Sequence, residues 1–409
     1  MPADGPASRD NDRPRDGPLL FTPLTLRGVT MRNRLMLAPM NQHSAIDGHA
    51  DDGLLVHLGK FALGGFGIVT TEATAVSLSA RIGPGDLGIW SDDHIAGLKR
   101  VTSYLRSRGA ASAMQLGHSG RKGSTQRPWD GFGALADADA ARGDLPWPLV
   151  GPTSEALGEG HVVPHALDAQ DIPKILCEFA DAAGRAEAAG FDILEIHGGH
   201  GYLIASFLTP VINRRRDLYG GDLAGRMRLA LEVAAAVRER WPRTKPLFFR
   251  MSSVDGHPDG WSLGDSVALA RELKARGVDL VDCSSGGLRG STAIENASRF
   301  PGYQVEYART IRREAGVATA AVGLILDGRQ AEAILQAGSA DLVIIGRQAL
   351  YDPYFVHHAA QQLGVDPDFD RWDLPAGWWL AKRRPGLEAI GLTGAGVPGN
   401  TSAAKPKKE

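Results

Sequence analysis

Phe191–Tyr202 reads FDILEIHGGHGY. An apolar run, Ile193-Leu194-Glu195-Ile196, ends abruptly in His197, two glycines, His200, Gly201 and Tyr202. The run predicts a buried strand whose far end opens onto polar, ring-bearing side chains. Titratable or hydrogen-bonding rings separated only by glycine make poor core material. They are suited to holding a polarised oxygen and delivering a proton. In a barrel, the C-terminal end of such a strand is where chemistry sits.

Outward from this stretch the chain is regular. Between Arg34 and Ala360, short runs rich in Val, Ile, Leu and Met alternate with amphipathic segments rich in Ala, Arg and Glu. The candidate strands are Leu35–Met40, Gly67–Glu72, Ala111–Leu116, Asp192–His197, Pro246–Ser252, Leu280–Ser284, Thr319–Gly323 and Leu342–Gly346. Several lack a period-2 alternation, as strands covered on both faces should. Helices are expected after each strand. Asp171–Ala189 and Leu223–Trp241 are the longest, and Asp265–Arg276 begins with an acidic residue near its cap and stops at Gly277. The order predicts an α/β fold, a (β/α)8 TIM barrel. A doubly wound open sheet is the alternative. Against it, Ala38-Pro39-Met40-Asn41 after the first strand offers no tight glycine turn for a dinucleotide phosphate.

Two additions to a minimal barrel stand out. Leu19–Asn33 predicts an N-terminal hairpin turning at Arg27-Gly28, placed to plug the barrel's N-terminal mouth. Gly117–Gln170, with Pro128, Pro146, Pro148, Pro152, Pro164 and the aromatic residues Trp129, Phe132 and Trp147, predicts a long lid loop after the third strand. Loops of this length are usually functional. The expected organisation is a disordered N-terminal tail over 1–18, a barrel over 19–364 and a partly disordered C-terminal extension over 365–409.

Composition narrows the function. Hydrophobic residues make up 43% and charged residues 22%, a globular balance, and the net charge of −2 gives no electrostatic case for nucleic acid or an anionic membrane. Cys177 and Cys283 are far apart and the chain has 2 cysteines in all, which argues against a disulfide scaffold, a Cys-ligated zinc or an iron–sulfur cluster. No apolar run reaches the roughly 18 residues of a membrane span, and the N-terminus has no secretory h-region. The expectation is a cytoplasmic enzyme or binding protein, with a small molecule as its substrate or ligand.

The C-terminal strand ends should share one pocket. They offer Pro39, Met40, Asn41 and His43; Glu72, Ala73 and Thr74; Gln115, His118 and Arg121; His197, His200 and Tyr202; Arg250; Ser284 to Gly287; Gly323; and Gly346 with Arg347. Gly323 and Gly346 either let backbone N–H groups approach a phosphate, with Arg347 as its counter-charge, or are turn glycines. Arg250, inside an apolar strand, needs an anionic or strongly accepting partner, either an internal carboxylate or a ligand. Gln115 either presents a donor–acceptor edge to a heterocycle or is a satisfied core amide. The spacing of Glu195, His197 and His200 does not put three ligands on one face, so no metal site is assigned.

Taken together, the ordered blocks resemble the old yellow enzyme family of flavin-dependent oxidoreductases, in its bacterial, thermophilic-like ene-reductase branch. They are LTLRGVTMRNRLMLAPM at Leu24–Met40, TEATAV at Thr71–Val76, DLGIWSDDHI at Asp86–Ile95, MQLGHSGRKGS at Met114–Ser124 and EIHGGHGYLIASFLTPVINRRRDLYGGD at Glu195–Asp222. They continue with DCSSGGL at Asp282–Leu288, PGYQV at Pro301–Val305, AVGLI at Ala321–Ile325 and DLVIIGRQALYDPYF at Asp341–Phe355. The resemblance implies FMN over the C-terminal mouth and NAD(P)H as reductant. It implies that Pro39, Met40 and Ala73 line the isoalloxazine, that Gln115 and Arg250 bond its pyrimidine edge, and that Gly323, Gly346 and Arg347 hold the phosphate. His197 and His200 would bind the substrate's carbonyl oxygen, and Tyr202 would give a proton to the α-carbon. The implied reaction is hydride transfer to the β-carbon of a carbonyl-conjugated alkene.

The chain departs from that branch at Asn41, usually cysteine, at His43, usually tyrosine, and at Gly225, usually asparagine. Asn41 can still hydrogen-bond the flavin. His43 can still donate to a substrate oxygen and, unlike tyrosine, ionises near neutral pH. A third histidine beside His197 and His200 would make the site more cationic at low pH. These changes are either tolerated variation within ene-reduction or signs of a more anionic substrate, or of desaturation or isomerisation. Gly225 lies at a helix start, where its effect should be structural. In the C-terminal extension, Trp372, Trp378 and Trp379 either pack on the chain's own barrel or meet a second copy, and related enzymes imply a homodimer or homotetramer.

Overall fold

The computed structural model describes residues 17–288 and 299–390. The tail expected over 1–18 lies outside the described residues except for Gly17 and Pro18, as does the 391–409 part of the C-terminal extension.

Among the described residues twelve strands occur in chain order: β1 (Leu24–Leu26), β2 (Val29–Met31), β3 (Leu35–Leu37), β4 (Ile68–Ala75), β5 (Ala111–Gly117), β6 (Val150–Gly151), β7 (His165–Ala166), β8 (Ile193–Gly198), β9 (Leu247–Ser252), β10 (Leu280–Ser284), β11 (Ala318–Ala321) and β12 (Leu342–Ile345). Strands β3, β4, β5, β8, β9, β10, β11 and β12 close into a parallel barrel in that order. Each expected barrel strand has its counterpart, with edges shifted by a few residues. Helices separate them, the longest being Leu223–Arg240 and Ile172–Ala188. Helix Leu263–Ala275 opens with a capping box, in which Ser262 takes the Asp265 N–H and Asp265 returns a bond to Ser262.

Side chains alternate across each strand, so residues two apart share the barrel interior. The interior is layered. Its lower layer is apolar: Met36, Ile68, Ala113, Ile193, Phe248, Leu280, Ala320 and Leu342. One step up, the same alternation sets Gln115, Glu195, Arg250 and Asp282, all buried. One step higher come His197, Ser252 and Ser284, at the C-terminal mouth. The hairpin β1–β2 pairs antiparallel across Arg27-Gly28, and its Leu24, Leu26, Val29 and Met31 pack on the lower layer, closing the N-terminal mouth.

The lid carries short elements rather than open loop: a 3-10 turn at Pro128–Asp130, a helical turn at Asp137–Ala140 and the parallel pair β6–β7. Charged residues tie it together, with Arg127 on Asp144 at 2.5 Å and Gln126 donating to Asp139 at 2.8 Å. The C-terminal extension forms helix Leu374–Ala389. Trp372 stacks on His357 at 4.5 Å between ring centroids, so this tryptophan packs on its own chain. Trp378 and Trp379 stay exposed. Among the described residues no helix is long and apolar enough to cross a membrane.

Candidate active site

One cavity of ≈ 770 Å³ opens at the C-terminal mouth. That volume falls within the roughly 300–1,000 Å³ of small-molecule and cofactor sites. The residues given a role by the resemblance, or named at its departures, line it: Pro39, Met40, Asn41, His43, Ala73, Gln115, His197, His200, Tyr202, Arg250, Gly323, Gly346 and Arg347; of the other strand-end residues Ser284 lines it, while Glu72, Thr74 and Ser285 to Gly287 do not. Pro128 and Phe132 of the lid also line it. His118 and Arg121 do not. His118 is fully buried, with Nδ1 accepting the Gly120 N–H at 3.1 Å.

The floor of the cavity is set by strand register. Gln115 of β5 lies beside Glu195 of β8, and Arg250 of β9 beside Asp282 of β10. Gln115 Nε2 donates to Glu195 Oε1 at 2.8 Å, and Arg250 Nε lies 3.1 Å from Asp282 Oδ2. Each residue therefore has an internal partner and also faces the cavity. The second Gln115 N–H and the Arg250 Nη groups make no hydrogen bond to any described residue, although both residues are more than nine-tenths buried. Buried donors need acceptors, so this edge fits a group rich in carbonyl and ring-nitrogen acceptors. Burial pushes the Glu195 and Asp282 carboxyls above the usual range, the Asp282 charge raises Glu195 further, and Arg250 pulls both down.

A β-bulge in β4 between Thr70 and Ala73 re-aims the strand and sets Ala73 opposite Gln115. Glu72 Oε2 accepts the Gln42 N–H at 2.7 Å and also engages the His43 backbone. Burial, then Asp86, pushes Glu72 up to about 8. On the opposite side, the chain runs from β11 into Gly323 and from β12 into Gly346. A side chain at Gly346 would meet only Ala38, at 3.7 Å. Arg347 is exposed and makes no ion pair with any described residue.

The ring-bearing segment is over-determined. His200 adopts φ +58, a left-handed conformation that costs a non-glycine residue about 1–2 kcal/mol. Its N–H donates to Ser252 Oγ at 2.8 Å, and its carbonyl accepts from Lys122 Nζ at 2.9 Å. Lys122 also donates to the Gly287 carbonyl at 2.8 Å, and that oxygen would lie 2.1 Å from any Cβ placed on Gly201, at φ +73. Burial, then Arg121, pushes the Lys122 ammonium down to about 7.

The imidazoles are connected. His197 Nδ1 accepts the Gly199 N–H at 3.4 Å, which leaves Nε2–H as the donor, 3.3 Å from His200 Nδ1. His200 Nε2 lies 2.8 Å from Ser284 Oγ. Burial, then the nearby Arg250 charge, holds both rings well below the usual histidine range, so both are neutral at pH 7. Arg250 and Lys122 already supply positive charge, and desolvation removes it from His197 and His200. Tyr202 packs against Ala73 and Ile82, and its ring centroid is 5.2 Å from that of His197. Burial, then Asp86, raises its phenol further, so it keeps its proton.

Asp86, Lys122 and Ser284 are the contributors that sequence reasoning did not assign. Each reaches the site from a different loop or strand, although Asp86 and Lys122 lie within the recognised blocks.

The sequence profile of the NADH:flavin oxidoreductase / NADH oxidase family matches residues 19–366. An NADPH dehydrogenase of Geobacillus sp. (strain WCH70) is 42% identical over 349 residues, covering 85% of this chain and 95% of that protein. The NADPH dehydrogenase of Bacillus subtilis (strain 168) is 40% identical over 352 residues, covering 85% and 96%. Among solved structures, morphinone reductase superposes with a TM-score of 0.69 at 26% identity, covering 85% of this chain and 90% of that one.

Proposed function

This chain belongs to the NADH:flavin oxidoreductase / NADH oxidase family, an NAD(P)H-dependent FMN oxidoreductase, and from that premise we propose that it reduces carbonyl-conjugated alkenes. When bound, FMN supplies the chemistry of taking hydride from NAD(P)H and passing it to the substrate's β-carbon. The residues present fit the group. The free donors of Gln115 and Arg250 would hold its pyrimidine edge, and the backbone at Pro39, Met40 and Ala73 would line its ring system. Gly323, Gly346 and Arg347 would hold its phosphate. Asn41 Nδ2 is buried without a hydrogen-bond partner among the described residues, a further donor for the same group.

The observation that carries the substrate reading is the convergence of two neutral imidazoles and one protonated phenol. Ser284 can donate or accept. When it donates to His200 Nε2, the His200 proton sits on Nδ1, the His197–His200 hydrogen bond is given up, and both Nδ1–H and His197 Nε2–H are free for one bound oxygen. Two such donors stabilise the negative charge that develops on a carbonyl oxygen as its alkene is reduced. Tyr202 then gives its proton to the α-carbon, and Lys122, 5.1 Å from that ring, holds the His200 carbonyl in place. The exposed Trp378 and Trp379 support contact with a second copy, and we read the enzyme as a cytoplasmic homodimer or homotetramer.

The test is turnover of cyclohex-2-enone with NADPH by the FMN-loaded enzyme, with cyclohexanone as the product. Tyr202→Phe should lower it by about 10²–10⁴-fold. NADPH oxidation that ignores the enone, or a Tyr202→Phe enzyme with full turnover, would overturn the assignment.

A further inference from the structure

The departure at His43 is accompanied by a partner. Asp86 Oδ1 lies 2.6 Å from His43 Nδ1, with both side chains buried. The contact is an ion-pair distance rather than an aligned hydrogen bond, and no other described residue hydrogen-bonds either atom, so Asp86 is the group that faces Nδ1 and favours a proton there. Asp86 is itself fixed. Its Oδ2 accepts the Ile82 N–H at 2.6 Å and the Gly83 N–H at 3.3 Å. The His43 segment is fixed from three further sides. Ala45 N–H donates to the Gly85 carbonyl at 2.8 Å, Glu72 engages the His43 backbone, and φ at His43 is +49. A left-handed backbone at a non-glycine residue persists where its surroundings demand it, and such positions cluster at functional sites.

With Nδ1 committed to Asp86, Nε2 is the nitrogen left over. It makes no hydrogen bond to any described residue, and His43 lines the same cavity as His197, His200 and Tyr202. An imidazole oriented by a carboxylate at one nitrogen and open at the other is the arrangement of a general base. A tyrosine at this position would present a weakly acidic hydroxyl; His43 presents a lone pair.

We propose that His43, oriented by Asp86, is a base for redox-neutral proton transfer on carbonyl substrates, and that the enzyme isomerises β,γ-unsaturated ketones to their conjugated isomers. The proposal rests on the reading that a carbonyl oxygen is held by His197 and His200. In the step, the C–H bond between the carbonyl and the isolated alkene breaks. The proton passes to His43 Nε2 and the electron pair delocalises onto the oxygen facing the two histidines. The proton then returns to the far alkene carbon, and the double bond moves into conjugation. Nothing is oxidised or reduced, so neither NAD(P)H nor an acceptor is consumed. Asp86 acts as a positioning residue, fixing the tautomer that leaves Nε2 free.

The test uses FMN-loaded, oxidised enzyme in D2O with cyclohex-3-en-1-one and no NAD(P)H, followed by ¹H NMR. The expected result is cyclohex-2-en-1-one carrying deuterium at C4, formed at least about tenfold faster than in buffer. His43→Gln should bring the rate back to that of buffer. ¹⁵N spectra should place the His43 proton on Nδ1, and Asp86→Asn should shift tautomer population toward Nε2–H and slow isomerisation. Isomerisation no faster than buffer overturns the proposal, as does a His43→Gln enzyme with the wild-type rate. If isomerisation is absent while NADPH-driven reduction of cyclohex-2-enone proceeds, only the base role fails. If both are absent, the carbonyl-binding reading fails with it.

Discussion

Replacing Glu72 with glutamine should change how stability depends on pH. Glu72 is 3% exposed, and its carboxyl is pushed from 4.5 to about 8 by burial and then by Asp86. The sign follows from proton counting. Between those two values the unfolded chain has lost the proton and the folded chain still holds it. Stability from this group is therefore fully present below 4.5, is lost as pH rises toward about 8, and is constant above. The slope approaches ~1.4 kcal/mol per pH unit, and the whole window is worth roughly 3–5 kcal/mol. The substituted amide would be uncharged throughout and could still accept the Gln42 N–H, so its contribution would not vary with pH. The assay is chemical denaturation of FMN-saturated wild type and Glu72→Gln at several pH values from 4.5 to 8.5, compared as differences so that other titrating groups cancel. The variant should gain on the wild type by roughly 3–5 kcal/mol across that range. Parallel profiles would refute the reasoning, because they would mean that folding does not hold a proton on Glu72.

Gly225→Asn, which restores the residue more usual in the resembled branch, should destabilise this chain by about 1–3 kcal/mol. A Cβ there would lie 2.1 Å from the Gly220 carbonyl oxygen, and thermal unfolding reads the effect. An unchanged or raised Tm would mean that the turn relaxes freely. Arg250→Met should cost about 3–5 kcal/mol by leaving Asp282 buried without its partner, and should weaken FMN retention measured by absorbance after gel filtration. Adding Asp282→Asn should recover stability but not FMN, since the donors of Arg250 stay lost; full FMN retention in either variant would contradict that role.

The barrel was legible in the sequence because its strands are buried on both faces and each reads as a compact apolar run. Strand edges moved by a few residues because pairing, not hydrophobicity, decides where a ladder stops. The site residues on strand ends were legible for the same reason: once the barrel order is known, Gln115, His197 and Arg250 must point to one mouth. The charged layer beneath them was only half legible. Glu195 and Asp282 each stand two residues before a cavity residue, His197 and Ser284, inside an apolar strand, and that alternation is the signal that could have paired them with Gln115 and Arg250. Asp86 and Lys122 come from connections whose approach to the site is set by tertiary packing, so neither the partner of His43 nor the support of His200 followed from spacing. The lowered affinity of His197 and His200 for a proton comes chiefly from desolvation, which the sequence does not display.

The central claim is that one cavity binds FMN, accepts reduction by NAD(P)H and delivers it to an activated alkene. The most direct measurement is an anaerobic titration of the FMN-loaded protein followed by visible absorbance. The account predicts that NADPH bleaches the yellow colour and that cyclohex-2-enone restores it with one equivalent of cyclohexanone formed. A protein that does not take up FMN, or one bleached by NADPH and left colourless by the enone, would contradict it.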